Sequence, residues 1–158
     1  MTLRLRPAPG TLTALLFEND VVGIPLSVFF NIEIPVEPFR YRRKLQKTSV
    51  RLEFIEFPVD DWRELAGTEF TFPVNPEPGY IDGSLYLDSA HNPADITLVR
   101  FGRLGKKTLP IALEGVIDFT QERVPGLEVI SLDWSTKVTF DAKELDQVFA
   151  EGRERGAI

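Results

Sequence analysis

The chain reads as all-β and mainly antiparallel, a β-sandwich or partly open barrel with one short helical turn near 60–66 and a C-terminal helix near 141–151. Three observations predict this. Period-2 alternation recurs along the chain in runs bounded by Pro, Gly, Asn or Asp. The clearest run is 128–140, with Ile130, Leu132, Trp134, Val138 and Phe140 on one side and Ser131, Asp133, Ser135, Lys137 and Thr139 on the other. One buried and one wet face is the signature of an antiparallel sheet. Helical spacing of apolar residues is sustained only after Asp141, at Leu145, Val148 and Phe149.

The elements follow in order. Residues 1–10 hold Pro7, Pro9 and Gly10 and predict a loose arm, with Leu3 and Leu5 against an edge. Residues 11–17 read as a strand and Glu18-Asn19-Asp20 as a turn. The run GIPLSVFFNIEI (23–34) is β-branched and aromatic, a strand buried on much of both faces, ended by Pro35 and Pro38. In TSVRLEFIEF (48–57), Val50, Leu52 and Phe54 share a face, and then Ile55 and Phe57 fall on the other. That change of phase predicts a bulge or a strand turning a corner.

DDWRELA (60–66) is the first helical turn, with Asp60 as cap and Gly67 as stop. A short strand over 69–74 precedes YIDGSLYLDSAHNPADITLVRF (80–101), read as strand, tight polar loop, strand. Gly102-Arg103-Leu104-Gly105 is a hairpin turn. It fails as a phosphate loop because Arg100 and Lys107 occupy positions that need Gly and Ser/Thr. Along 108–119 the inward face carries Gly115, which marks a bend or a close approach of backbone. Asp141 caps the final helix with Glu144 three residues on, Gly152 ends it, and 153–158 fray.

A length of 158 residues suits one domain spanning 1–158. The absence of cysteine rules out disulfides, thiolate metal sites and thiol nucleophiles. No segment is apolar and long enough to cross a membrane as a helix, and the start lacks the apolar stretch of a signal peptide. A soluble cytoplasmic protein is the simplest reading, and no motif implies a cofactor or a metal. The net charge of −6 argues against generic nucleic-acid binding. Arg40, Arg42, Arg43, Lys44 and Lys47 are five of the 18 basic residues, which leaves 13 against 24 acidic ones elsewhere. The chain is thus a basic spot on an acidic body.

Two clusters of residues are candidates for function. Strand alternation aligns Tyr80, Asp82, Ser84, Tyr86 and Asp88 at roughly 7 Å intervals on one face, with the single histidine, His91, in the loop beyond. Carboxylates among tyrosines suit a small ligand or a sugar ring. The plainer reading is the solvated side of an amphipathic strand, with His91 as a surface turn residue. The second cluster is Arg40, Tyr41, Arg42, Arg43, Lys44 and Lys47, in which an aromatic residue lies among cations. It suits contact with an acidic protein face, including a second copy of this chain. Its plainer reading is a charged edge that deters aggregation. A single histidine without a nucleophile elbow gives no Ser-His-Asp system. The function expected is a non-enzymatic protein-interaction or self-associating β domain. The alternative is a small-ligand, carbohydrate-binding or carbohydrate-active β-sandwich that uses the 80–88 face.

Overall fold

The structure is a computed structural model that describes residues 3–122 and 124–158. Among these residues the strands are β1 (Gly10–Asn19), β2 (Ile24–Pro35), β3 (Phe39–Tyr41), β4 (Lys44–Gln46), β5 (Ser49–Ile55), β6 (Glu69–Thr71), β7 (Asp82–Leu87), β8 (Ala90–Phe101), β9 (Thr108–Asp118) and β10 (Val129–Thr139). A 3₁₀ turn, Trp62–Leu65, lies between β5 and β6, and helix α1, Ala142–Glu154, follows β10. Pairing runs β1–β2–β5–β7–β8–β9–β10 and returns from β10 to β1, so the sheet closes into a barrel. Every junction is antiparallel except β1–β10, which is parallel and holds only Gly10↔Val138 and Thr11↔Thr139. β6 pairs with β8 at Leu98, Val99 and Arg100, beyond the β7 pairs at 90–93. The β3–β4 hairpin stands apart from the barrel sheet.

The alternation of the sequence places the core inside this ring. Leu132, Trp134 and Val138 of β10 are buried between the exposed Ser131, Asp133, Ser135 and Lys137. Leu109, Ile111, Leu113 and Ile117 line β9 in the same way. Gly115 sits in that row because β8 crosses there. A Cβ at Gly115 would lie 2.2 Å from Asp95 O, and β8 shifts register between Ile96 and Leu98 at this crossing. At one pole Phe57 packs against the rings of Phe30, Phe70 and Phe101 at 4.7–5.4 Å between centroids.

The phase change in β5 is a bulge. Phe30 pairs with Ile55 and Ile32 with Leu52, so Glu53 and Phe54 together oppose Asn31. Val50, Leu52, Ile55 and Phe57 all enter the core, and Phe54 alone is turned outward. Its φ is 53°, and its N–H donates to Asn31 Oδ1 at 2.9 Å. A bulky residue in the left-handed region is strained, and the Asn31 side chain holds it there.

Both ends of the chain differ from the sequence reading. The arm is not loose between Leu5 and Ala8: Leu5 is buried, Pro7 bridges Val36, and Ala8 N–H donates to Pro35 O at 2.8 Å. The helix does not end at Gly152. That residue is buried beneath Val28 and Ile158, and the helix stops at Gly156, whose φ is 78°. Gly156 N–H bonds Arg153 O and Ala157 N–H bonds Gly152 O, a Schellman closure that orders the segment expected to fray. Residues 1 and 2 of the arm lie outside the described residues.

α1 closes the other side of the aromatic pole. Asp141 Oδ1 accepts from Lys143 and Glu144 N–H, as the cap predicts. Leu145 and Phe149 are buried, with Phe149 5.8 Å from Phe30. Asp61, one residue later than predicted, caps the 3₁₀ turn. Trp62 packs 4.9 Å from Phe140 and donates from Nε1 to Asp146 Oδ1 at 2.9 Å. Arg63 grips both oxygens of the same carboxylate at 2.8 and 3.0 Å. These hydrogen bonds, led by that from Arg63, hold the Asp146 carboxyl down at about 2. No helix is long and apolar enough to cross a membrane among the described residues.

Candidate functional site: two surfaces at opposite poles

β2 has 12 residues, so at about 3.3 Å per residue its ends lie roughly 36 Å apart. One predicted cluster lies beyond the end of β2. The other is divided between the two poles.

The basic cluster forms the β3–β4 hairpin. Tyr41 pairs with Lys44, which leaves Arg42 and Arg43 as a two-residue turn with φ of 51° and 65°. Positive φ at both central residues is the type I′ pattern, for which Asn-Gly is the favoured pair. Tyr41 is not part of the exposed cluster. Its ring is buried and its hydroxyl donates to Pro125 O. Gln46 is buried as well, and its Nε2 donates to Asp88 Oδ1 at 3.0 Å. These two residues anchor the hairpin to the barrel. Arg40, Arg42, Arg43, Lys44 and Lys47 all remain exposed. Among the described residues only Lys44 of these has a carboxylate in range, Asp88 at 4.0 Å. Leu45 projects beside them, half exposed.

The 80–88 face is not continuous. β7 puts Tyr86 near the basic pole, where it lines an open depression of ≈ 690 Å³ with Lys47, Thr48 and Arg51. Asp88 and Ser89, with φ of 47° and 66°, make the β7–β8 turn. His91 is therefore not a turn residue. It lies on β8 directly opposite Tyr86, and the two rings meet edge to face at 5.2 Å. Asp88 is engaged by Gln46 and Lys44 rather than by His91. Asn92, the next residue of β8, is completely buried and donates from Nδ2 to Leu85 O and Ala90 O. No group of three or more His, Cys, Asp or Glu side chains is placed to hold a metal among the described residues.

Tyr80 and Asp82 lie at the far pole. They line a depression of ≈ 480 Å³ together with Phe17, Ile24, Pro25, Phe29, Phe54 and Glu56. The Phe17, Phe29 and Phe54 rings meet edge-on at 5.1–6.2 Å. Phe54 and Tyr80 are 40% and 37% exposed, so this aromatic cluster faces water. Acidic groups border it. Glu53 and Asp82 are directly opposed across β5 and β7, on the outward face. Like charges in that position repel. Arg51, the cation two residues along, is held by Glu33 at 3.1 Å. The sequence reading found Tyr80 and Asp82 but missed Phe17, Phe29, Phe54, Glu53 and Glu56. The phase slip at Phe54 was the signal available, because a bulge that keeps Ile55 and Phe57 inward must turn its extra residue out.

Comparison of the chain with family models, with curated proteins and with solved structures gives no match.

Proposed function

We propose that the chain is a cytoplasmic, non-enzymatic interaction domain that binds an acidic protein surface through the tip of hairpin β3–β4. The observation that carries this reading is the pair Arg42 and Arg43, both at positive φ. A turn selected for stability alone favours Asn-Gly there. Two arginines in the left-handed region cost about 1 kcal/mol each, and such strain clusters where a surface serves recognition. The guanidiniums are held out on an anchored hairpin, unneutralised, on a chain of net charge −6. Arginine is the cation best suited to paired hydrogen bonds with carboxylates.

The test uses a fluorescent Asp/Glu-rich peptide, a DNA duplex of equal charge, and the variant Arg42→Asn/Arg43→Gly. This variant removes both cations and installs the favoured turn, so the hairpin is kept. Anisotropy should show the peptide binding the native chain at least about tenfold more tightly than the variant, with affinity falling as salt rises. Equal affinity in the two proteins, or preferential binding of the DNA, refutes the reading.

A second reading, of a small-ligand or carbohydrate-binding face along 80–88, is supported by the depression beside Tyr80 and Asp82. It lacks a continuous face, since Tyr80 and Tyr86 line separate depressions. Protein-observed NMR titration with simple sugars tests it: shifts or broadening confined to Tyr80 and the Phe17–Phe54 rings are expected, and spectra unchanged at saturating sugar refute it.

A further inference from the structure

We propose that the aromatic depression at the Tyr80 pole is the receptor for the Arg42 and Arg43 tip of a second copy, so that chains associate head to tail. The inference rests on the reading of β3–β4 as a docking arm and names its acidic partner.

The receptor chemistry is specific. Phe17, Phe54 and Tyr80 offer aromatic surface over the buried Phe29 in a depression of ≈ 480 Å³. Guanidinium groups stack on such faces, and the attraction grows as water is excluded. Asp82 lines the depression, and Glu53 stands opposite it on the adjacent strand. No cation lies within 4.0 Å of either carboxylate among the described residues. A bound guanidinium would replace their repulsion with attraction. The floor is also held open at a cost, since Phe54 is kept outward at a φ of 53° by its bond to Asn31. Strain of this kind is maintained by surrounding structure and points to use of the displaced side chain.

The donor is on the same chain. Among the described residues the hairpin tip presents two guanidiniums without carboxylate partners, and the half-exposed Leu45 suits an apolar floor. The hairpin follows the Pro35 end of β2 and is pinned there by Tyr41 and Gln46, whereas the depression runs from Ile24 to Phe29 and the acidic pair lies level with Asn31, so one copy's tip does not reach its own depression. The contact is heterologous, with different patches meeting, and each pair of chains keeps one free tip and one free receptor. Such contacts propagate into rings or filaments.

Sedimentation velocity tests this on the full chain. The native protein should associate as concentration rises towards millimolar and dissociate as salt is added. The tip variant Arg42→Asn/Arg43→Gly should remain monomeric alone. The receptor variant Glu53→Gln/Asp82→Asn, which is isosteric and relieves the repulsion, should also remain monomeric alone. Mixed in equal amounts, the two should form a heterodimer and nothing larger, because only one intact tip and one intact receptor remain to meet. A receptor variant that associates like the native chain overturns the proposal, as does a mixture that stays monomeric. If the native chain stays monomeric while the acidic peptide still binds the hairpin, this inference falls alone. If the peptide also fails to bind, the proposed function falls with it.

Discussion

Two substitutions at Phe54, to alanine and to glycine, separate the packing of its ring from the strain of its backbone. Both remove the edge contacts with Phe17 at 5.1 Å and Phe29 at 5.7 Å. The ring is 40% exposed, so its loss forfeits about 1–2 kcal/mol, less than full burial of a phenylalanine. The backbone term then distinguishes the two. Alanine keeps a Cβ and remains at the φ of 53°, where an L-residue loses roughly 1–2 kcal/mol. Glycine escapes that cost but loses about 0.5–1 kcal/mol more in chain entropy. The net leaves glycine ahead by about 0.5–1 kcal/mol, whereas in an ordinary strand alanine leads by a similar amount. With a urea m-value near 2 kcal/mol/M, the glycine variant should unfold about 0.3–0.5 M later than the alanine variant. Urea titration followed by fluorescence of the two buried tryptophans measures this. If alanine has the higher midpoint at equal m, the strain argument at Phe54 is wrong, and with it one support for the receptor.

Further substitutions test the frame. Gly115→Ala puts a methyl 2.2 Å from Asp95 O, and the two strands must part; a loss of about 1–3 kcal/mol in urea unfolding is expected, while no loss would mean that β8 and β9 are not so close. Phe149→Ala empties a site that is 1% exposed beneath Phe30 and should cost about 3–5 kcal/mol by the same assay. Asp146 has its carboxyl lowered to about 2 by Arg63 and Trp62, so it stabilises the fold above its unfolded value near 3.9 and ceases to as pH falls through 2. The stability gap between the native chain and Asp146→Asn should therefore be full at pH 6 and shrink between about pH 4 and pH 2; a gap that does not change with pH contradicts the pairing. Tyr41→Phe removes the hydroxyl bonded to Pro125 O, and hydrogen exchange should rise in residues 39–46 while the barrel strands keep their protection.

Much of the fold was legible because its signals are local. Alternation in 128–140 and 108–119 marks the inward rows of β10 and β9, and Gly115 marks the close crossing of β8. The cap at Asp141 came from one side chain and its neighbours. What could not be read depends on partners distant in sequence. The closure of the ring joins β1 to β10, and no local pattern announces it. Tyr41 looked like an exposed aromatic among cations because its burial depends on Pro125, 84 residues away. His91 looked like a turn residue because Asn92-Pro93 commonly breaks a strand, whereas the turn lies earlier, at Asp88 and Ser89. The candidate site was half legible for the same reason. Tyr80 and Asp82 lie on one strand, but the phenylalanines that join them come from β1, β2 and a bulge in β5.

The seam between β1 and β10 governs when this barrel can exist. It holds two residue pairs and a bond from Thr139 Oγ1 to Gly10 O, groups separated by 129 positions. The stretch from Gly10 to Thr139 must therefore leave the ribosome before β1 meets its second neighbour. Until then β1 has only β2 beside it, and its other edge stands open to any passing strand. α1 is made directly after β10 and packs on β1 and β2. α1 thus arrives beside β1 as the ring shuts, and nascent chains cut short of β10 are left with an unpaired edge.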